Sequence, residues 1–184
     1  MNKDIVNTLI QQSQLGDTKA FEKLVKEFQP LVFRLAFRLL CNEEDAKDMV
    51  QETFIKVWKN LNRYEFKYLF STWIYKIMQN LCYDKLRSAK QTKIYLSNIS
   101  LAEQNFISSE NIEKDVINKE LGEYILFFTQ NLTPKQKIVF TLRDIEGLEV
   151  NEIEKITGLS PNKIKSNLYL ARNKIKEQIN TITL

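Results

Sequence analysis

The sequence predicts an all-α protein made of two small helical domains joined by a flexible linker. Only 4 Gly and 3 Pro occur among 184 residues, while Leu, Ile, Lys and Glu are abundant. Long stretches place apolar residues at helical spacing. Between two such stretches, residues 88–111 are polar, rich in Ser and Asn, and without a clear period, as a linker would be. The length allows one ordinary domain or two small ones. The expected division is 1–90, a linker at 91–112, and 113–184.

Taken in order, residues 3–14 suit a short helix. Gly16-Asp17 interrupts it, and Asp17 or Thr18 can cap a second helix to about Phe28, with Phe21, Leu24, Val25 and Phe28 apolar. Pro30 sits at the start of a further helix, Leu31 to Leu40. Asn42 followed by Glu43, Glu44 and Asp45 is a strong helix start, an N-cap oxygen and then negative charge against the dipole. From there to Leu61, Ala46, Val50, Phe54, Val57 and Leu61 form a buried stripe. Asp45, Asp48, Gln51 and Glu52 line another side, with Trp58 beyond. Such carboxylates repel phosphate, so this face is either simply solvated or a protein-docking surface.

The connection Asn62–Leu69 packs Tyr64, Phe66 and Tyr68 between Arg63 and Lys67. Interleaved rings and cations suit an unstacked base, and core filling competes for at least one of the three. In the next helix, Phe70, Ile74, Ile77 and Leu81 share one face. Lys76, Asn80, Tyr83 and Arg87 form a second row, with Trp73 a turn ahead. A core helix needs only the first face, whereas the second suits nucleic acid or a solvated polar surface.

Helical period returns near Glu113 with Val116, Ile117, Leu121, Ile125, Leu126 and Phe128. Thr133 and Pro134 then start a helix that buries Ile138, Val139 and Leu142. Val150–Thr157, the turn residue Gly158, the plug Leu159 and the start Ser160-Pro161 spell a helix-turn-helix, its second helix running to about Ile179. Ile164, Leu168, Ala171 and Ile175 face inward. Asn162, Lys163, Lys165, Ser166, Asn167 and Arg172 remain for a major groove, and a plain helical hairpin is the competing reading.

Charge follows the same division. Residues 1–90 carry 15 basic and 11 acidic side chains, residues 91–131 carry 3 and 6, and residues 132–184 carry 9 and 6. Two basic ends around an acidic connector suggest a polyanion contacted at two places. The chain has no histidine, which removes His-based zinc sites, general bases and triads. Cys41 and Cys82 stand far apart and are expected as buried small hydrophobes. No apolar run of membrane-spanning length exists and the N-terminus lacks a signal-peptide core, so stable membrane insertion is not expected and a cytoplasmic location is. No cofactor, metal or catalytic residue is expected.

With both ends read, the chain resembles the small extracytoplasmic function (ECF) group of bacterial RNA polymerase sigma factors. The likeness runs through DAKDMVQETFIKVWKNL and FSTWIYKIMQNLCYDKLR at the N-terminal end and through Leu132 to Ile175 at the C-terminal end. It implies that the first domain, region 2, docks on the polymerase clamp through Asp48, Gln51 and Glu52, with Asp45 and Trp58 beside them. Region 2 would also read and open the minus-ten promoter element. Asn80 would contact a base near the duplex edge, Trp73 would sit at the fork, and the loop from Asn62 to Leu69 would hold a flipped-out base. The second domain, region 4, would place its helix-turn-helix, including Ser160, on the minus-35 element and touch the polymerase flap. An anti-sigma protein would hold such a factor inactive.

Some positions depart from the family's habit. Lys76 and Ile77 stand where housekeeping factors carry an aromatic pair, which implies weaker melting. Glu154 replaces a small residue in the first helix of the motif, and Asn167 and Leu170 stand where basic residues often occur. Two other readings compete. A conventional helix-turn-helix regulator would bind duplex DNA without polymerase. An enzyme holding metal on Asp45, Asp48 and Glu52 would need partner ligand pairs that the sequence lacks.

Overall fold

The computed structural model describes residues 2–97, 127–129 and 131–182. Helix α1 spans Lys3–Gln14 and is capped by the Asn2 side chain, which accepts from the Asp4 amide. Helix α2 begins at Thr18, where the Asp17 carboxylate accepts from the amides of Lys19 and Ala20, and it continues to Leu40. The two helices expected over 18–28 and 31–40 are therefore one, with Pro30 inside it. The proline removes the donor that would meet the Lys26 carbonyl. Pro30 itself is exposed. Leu24 before it and Val32 and Leu35 after it reach zero exposure in the same core, and that packing keeps both halves in line.

Helix α3 spans Glu43–Asn60, with Asn42 accepting from the Asp45 amide at 2.9 Å. The expected stripe of Ala46, Val50, Phe54, Val57 and Leu61 is buried throughout. A 3-10 turn over Leu61–Arg63 leads to the loop before helix α4, Phe70–Ser97. Helix α4 passes the boundary suggested at residue 90. Residues 88–97 contain no Gly or Pro and include Ala, Lys, Gln and Leu, good helix formers whose propensity outweighs the missing apolar period.

The helix start expected near Glu113, with Val116, Ile117, Leu121, Ile125 and Leu126, lies outside the described residues. Phe128 is half-buried within the helical stretch 127–129. Helix α5, Pro134–Phe140, starts in a capping box: Thr133 Oγ1 accepts from the Gln136 amide and Gln136 Oε1 accepts from the Thr133 amide at 3.0 Å. It runs into a wide π-turn over Thr141–Ile145. Helix α6 spans Val150–Thr157, and Gly158 ends it at φ +70°, a left-handed position where a side chain would be strained. Helix α7, Pro161–Ile182, completes the helix-turn-helix, with Ile164, Leu168 and Ala171 buried. No strand occurs among the described residues.

The apolar core is continuous. Leu35, Ile74 and Met78 of the N-terminal unit belong to the same buried cluster as Val139, Leu142, Ile153 and Ile156 of the C-terminal unit, and α4 packs against α2, α3, α5 and α6. Leu35 is fully buried and Leu15 is 90% exposed. Truncating Leu35 to Ala should lower the unfolding free energy by about 2–5 kcal/mol. Leu15→Ala should change it by no more than about 0.5 kcal/mol. Urea unfolding followed by circular dichroism measures both.

Candidate functional site

The carboxylate face of α3 is at the surface. Asp48 and Gln51 are exposed, and Asp45 and Glu52 are half-buried. Asp45 is paired with Lys85 of α4 at 2.6 Å and Glu52 with Lys56 at 3.4 Å. Lysines balance these carboxylates, and among the described residues no group of His, Cys, Asp or Glu gathers as metal ligands.

Beside the carboxylates runs an apolar groove between α2 and α3, about 580 Å³, lined by Phe21, Val25, Phe54, Ile55 and Trp58. The Trp58 ring, 39% exposed, leans on Phe21 at 4.7 Å between centroids. The sequence reading missed Ile55 and the α2 side of this groove. Ile55 follows Gln51 at i+4, a spacing that could have found it.

The cation–aromatic face lies on another side, formed by the 62–69 loop and the start of α4. Tyr64 is not available to a base. It is buried, its ring lies within 5.3 Å of Phe66, Phe70 and Trp73, and its hydroxyl donates to the Tyr68 carbonyl at 2.6 Å. It is the core-filling ring of the three, and it holds the loop's shape. Phe66 and Tyr68 are exposed, as are Arg63 and Lys67. On α4, Lys76, Asn80 and Arg87 are exposed and point away from the core, whereas Trp73 and Tyr83 are half-buried and packed against it. Gln79, its neighbour in sequence, donates to the Asn80 side-chain oxygen.

On the helix-turn-helix, Ser160, Asn162, Lys163, Lys165 and Ser166 are exposed and Asn167 is half-buried. Arg172 is exposed but engaged: its guanidinium grips both oxygens of Asp144, at 2.9 and 2.6 Å. The Asp144 hydrogen bond is also the first cause that raises Arg172's pKa. Lys174 reaches the Asn131 carbonyl and Gln136. Tyr169, 66% exposed, was not picked out from the sequence, although it stands at i+3 from Ser166 on the outward side.

The cysteines differ. Cys82 is fully buried, and burial pushes its thiol up to about 12. Cys41 is only partly buried, against expectation, because it ends α2 at φ 55° with its sulfur 3.5 Å from the Lys137 ammonium. Burial raises its pKa, and Lys137 opposes that rise.

The family model for Sigma-70 region 2 matches residues 24–92, and that for Sigma-70, region 4 matches residues 123–175. The chain belongs to the sigma-70 family. It is 28% identical over 158 residues to the ECF RNA polymerase sigma factor SigW of Bacillus subtilis, covering 83% of this chain and 84% of SigW. It is 29% identical over 154 residues to the ECF RNA polymerase sigma-E factor of Escherichia coli, covering 80% of each. The sigma factor falls in the ECF group. Among solved structures it resembles CnrH in complex with the cytosolic domain of CnrY, with a TM-score of 0.68 at 20% identity, covering 97% of this chain and 99% of that one. It also resembles the sigma factor RpoE in complex with the anti-sigma factor NepR from Bartonella quintana, with a TM-score of 0.65 at 22% identity, covering 88% and 98%.

One titration reports on this fold directly. Burial first, and then the Glu146 carboxylate, push the Tyr75 hydroxyl of α4 up to about 12, and burial alone raises Tyr64. A phenol whose folded pKa exceeds its unfolded value of about 10 favours the folded state below that value and loses the contribution as pH climbs toward the folded one. Tyrosinate absorbance should therefore show Tyr75 ionising after the exposed tyrosines, and stability should fall between about pH 10 and 12. Tyr75→Phe should weaken that fall.

Proposed function

We propose that this ECF sigma factor binds core RNA polymerase and directs it to specific promoters, acting as an initiation factor without chemistry of its own. The observation that carries the reading is the segregation of its surfaces. A carboxylate and tryptophan face on α3 is set apart from the cation–aromatic face of α4 and from the basic helix α7. Phosphate is repelled by the first and attracted by the other two, so one chain can hold polymerase and DNA at once.

In this reading Asp45, Asp48, Gln51, Glu52 and Trp58 dock on the clamp, with the Phe21–Ile55 groove supplying apolar area beside them. Arg63, Phe66, Lys67, Trp73, Lys76, Asn80, Tyr83 and Arg87 engage the minus-ten element, and Tyr64 shapes their loop. Ser160, Asn162, Lys163, Lys165, Ser166, Asn167 and Arg172 engage the minus-35 element. Residues 1–90 and 113–184 are the two working units and 91–112 the connector. The energy for opening DNA comes from capturing unpaired bases and from polymerase contacts.

An anti-sigma protein is a further partner, a reading supported by the company in which the solved relatives occur. The cytoplasm, where polymerase and template meet, is the proposed compartment, and no described helix is long and apolar enough to cross a membrane. A conventional helix-turn-helix regulator would have no use for the α3 face.

Asp48→Lys or Glu52→Lys should abolish association with core polymerase while leaving the circular dichroism spectrum unchanged. Asn80→Ala should alter base preference within the minus-ten element, and Lys163→Ala should weaken use of the upstream one, each lost base contact costing about 1–3 kcal/mol. Transcription in vitro with sigma-free polymerase across a promoter library reads all four. Initiation at none of the promoters by the unaltered chain would refute the function.

A further inference from the structure

Helix α7 turns a strip toward solvent that its positive charge does not account for. Ile164, Leu168 and Ala171 are buried at i, i+4 and i+7 and seat the helix on its own domain. Asn162, Ser166, Tyr169 and Asn173 repeat at the same spacing about half a turn away, with Leu170 beside them. All five are exposed and none is charged. Tyr169 is 66% exposed and Leu170 44%. One apolar side chain in water is ordinary, whereas two neighbours at the centre of an outward face mark a contact with an apolar group.

The identity of that group follows from what surrounds them. Residues 160–176 hold five basic side chains and no acidic one, so the occupant of this face is a polyanion rather than a protein surface of ordinary charge. Lys163 and Lys165 are exposed on the two flanks of the strip, where they suit phosphate. Guanine is chosen in the major groove by paired donors from arginine or lysine, and the strip itself carries neither. Arg172 is held by both oxygens of Asp144. Asn167, whose amide would suit adenine, donates instead to the Lys163 carbonyl at 2.7 Å. The major groove offers one apolar group of its own, the C5 methyl of thymine.

We propose that Tyr169 and Leu170 are specificity-determining residues of the upstream promoter contact and select thymine by packing on its C5 methyl, an inference that rests on the minus-35 reading of α7 above. Asn162 and Ser166, on the same strip, supply hydrogen bonds to neighbouring base edges. The central base pairs of the element are therefore read by methyl contact, and the lysines on either side fix the register of the helix.

The test uses the full chain assembled with core RNA polymerase, on promoters whose upstream element is randomised. Elements selected by transcription in vitro are resynthesised as duplexes carrying either thymidine or deoxyuridine at every thymine of the element. Deoxyuridine pairs in the same way and lacks only the methyl. Fluorescence anisotropy reads the affinity of the assembled protein for each form. Wild type should bind the deoxyuridine form at least about threefold more weakly, since burial of one methyl corresponds to about fourfold in affinity. The double variant Tyr169→Ser with Leu170→Ser, checked by circular dichroism for an unchanged fold, should bind both forms alike and no tighter than wild type binds the deoxyuridine form.

A wild type indifferent to the methyl, or a double variant that keeps the difference, overturns the thymine contact, while the selected elements uphold the minus-35 reading. A double variant that no longer joins core polymerase, together with a wild type indifferent to the methyl, assigns the two side chains to a protein partner and likewise overturns the proposal. If the randomised element shows no sequence preference at all, the minus-35 reading fails and the thymine contact falls with it.

Discussion

Helix α4 is the member on which the structure depends, because both halves of the protein use it as their wall. Phe70, Ile74, Met78, Leu81 and Cys82 are buried in it, and so are Tyr75 and Gln79. Helices α2 and α3 cover one part of its circumference, and α5 and α6 another. A side chain such as Ile74 or Met78 gains about 1.5–3 kcal/mol from complete burial. The N-terminal and C-terminal units therefore draw on one apolar reservoir. Among the described side chains of α4, Lys76, Asn80, Asp84, Arg87, Ser88 and Ala89 remain exposed. A surface available to DNA on this helix is thus what packing leaves over, bounded on both sides by apolar contacts.

Electrostatics divides what burial leaves exposed. Exposed i,i+4 pairs such as Lys26–Glu22 and Lys47–Glu43 contribute little, because water and salt screen them. The pairs that cross between elements do more, since they fix relative position. Lys85 to Asp45 ties α4 to α3, Arg143 to Glu149 closes the turn before α6, and Arg38 to Glu146 joins α2 to the end of the π-turn. The last is the most buried of these and the least compatible with loss of one partner.

Local features are legible in the sequence, and non-local ones are not. The Asn42 and Thr133 caps, the Gly158 turn and the stripe from Ala46 to Leu61 each depend on residues within a few positions, and each stands as expected. Pro30 points to a helix start because proline favours that position. The core beneath Leu24 and Val32 overrides the local preference. Tyr64 cannot be told from Phe66 and Tyr68 by spacing alone, since the choice of which ring turns inward is made by Phe70 and Trp73. The contacts of Glu146 with Arg38 and of Lys137 with Cys41 span about a hundred residues of sequence and leave no periodic trace. The groove beside Trp58 is half visible, through Ile55, and half hidden, because Phe21 and Val25 come from another helix.

The clasp between Arg172 and Asp144 changes the thermodynamics of reaching a phosphate with α7. A free arginine that meets DNA displaces condensed counterions, and affinity then falls steeply as salt is added. Arg172 is already neutralised by both oxygens of a carboxylate. Its transfer to a phosphate is an exchange of one anion for another, with Asp144 returned to water. In the proposed minus-35 contact this arginine would add geometric selectivity while contributing less than a full charge to the ionic-strength dependence, and Lys163 and Lys165 would carry that part.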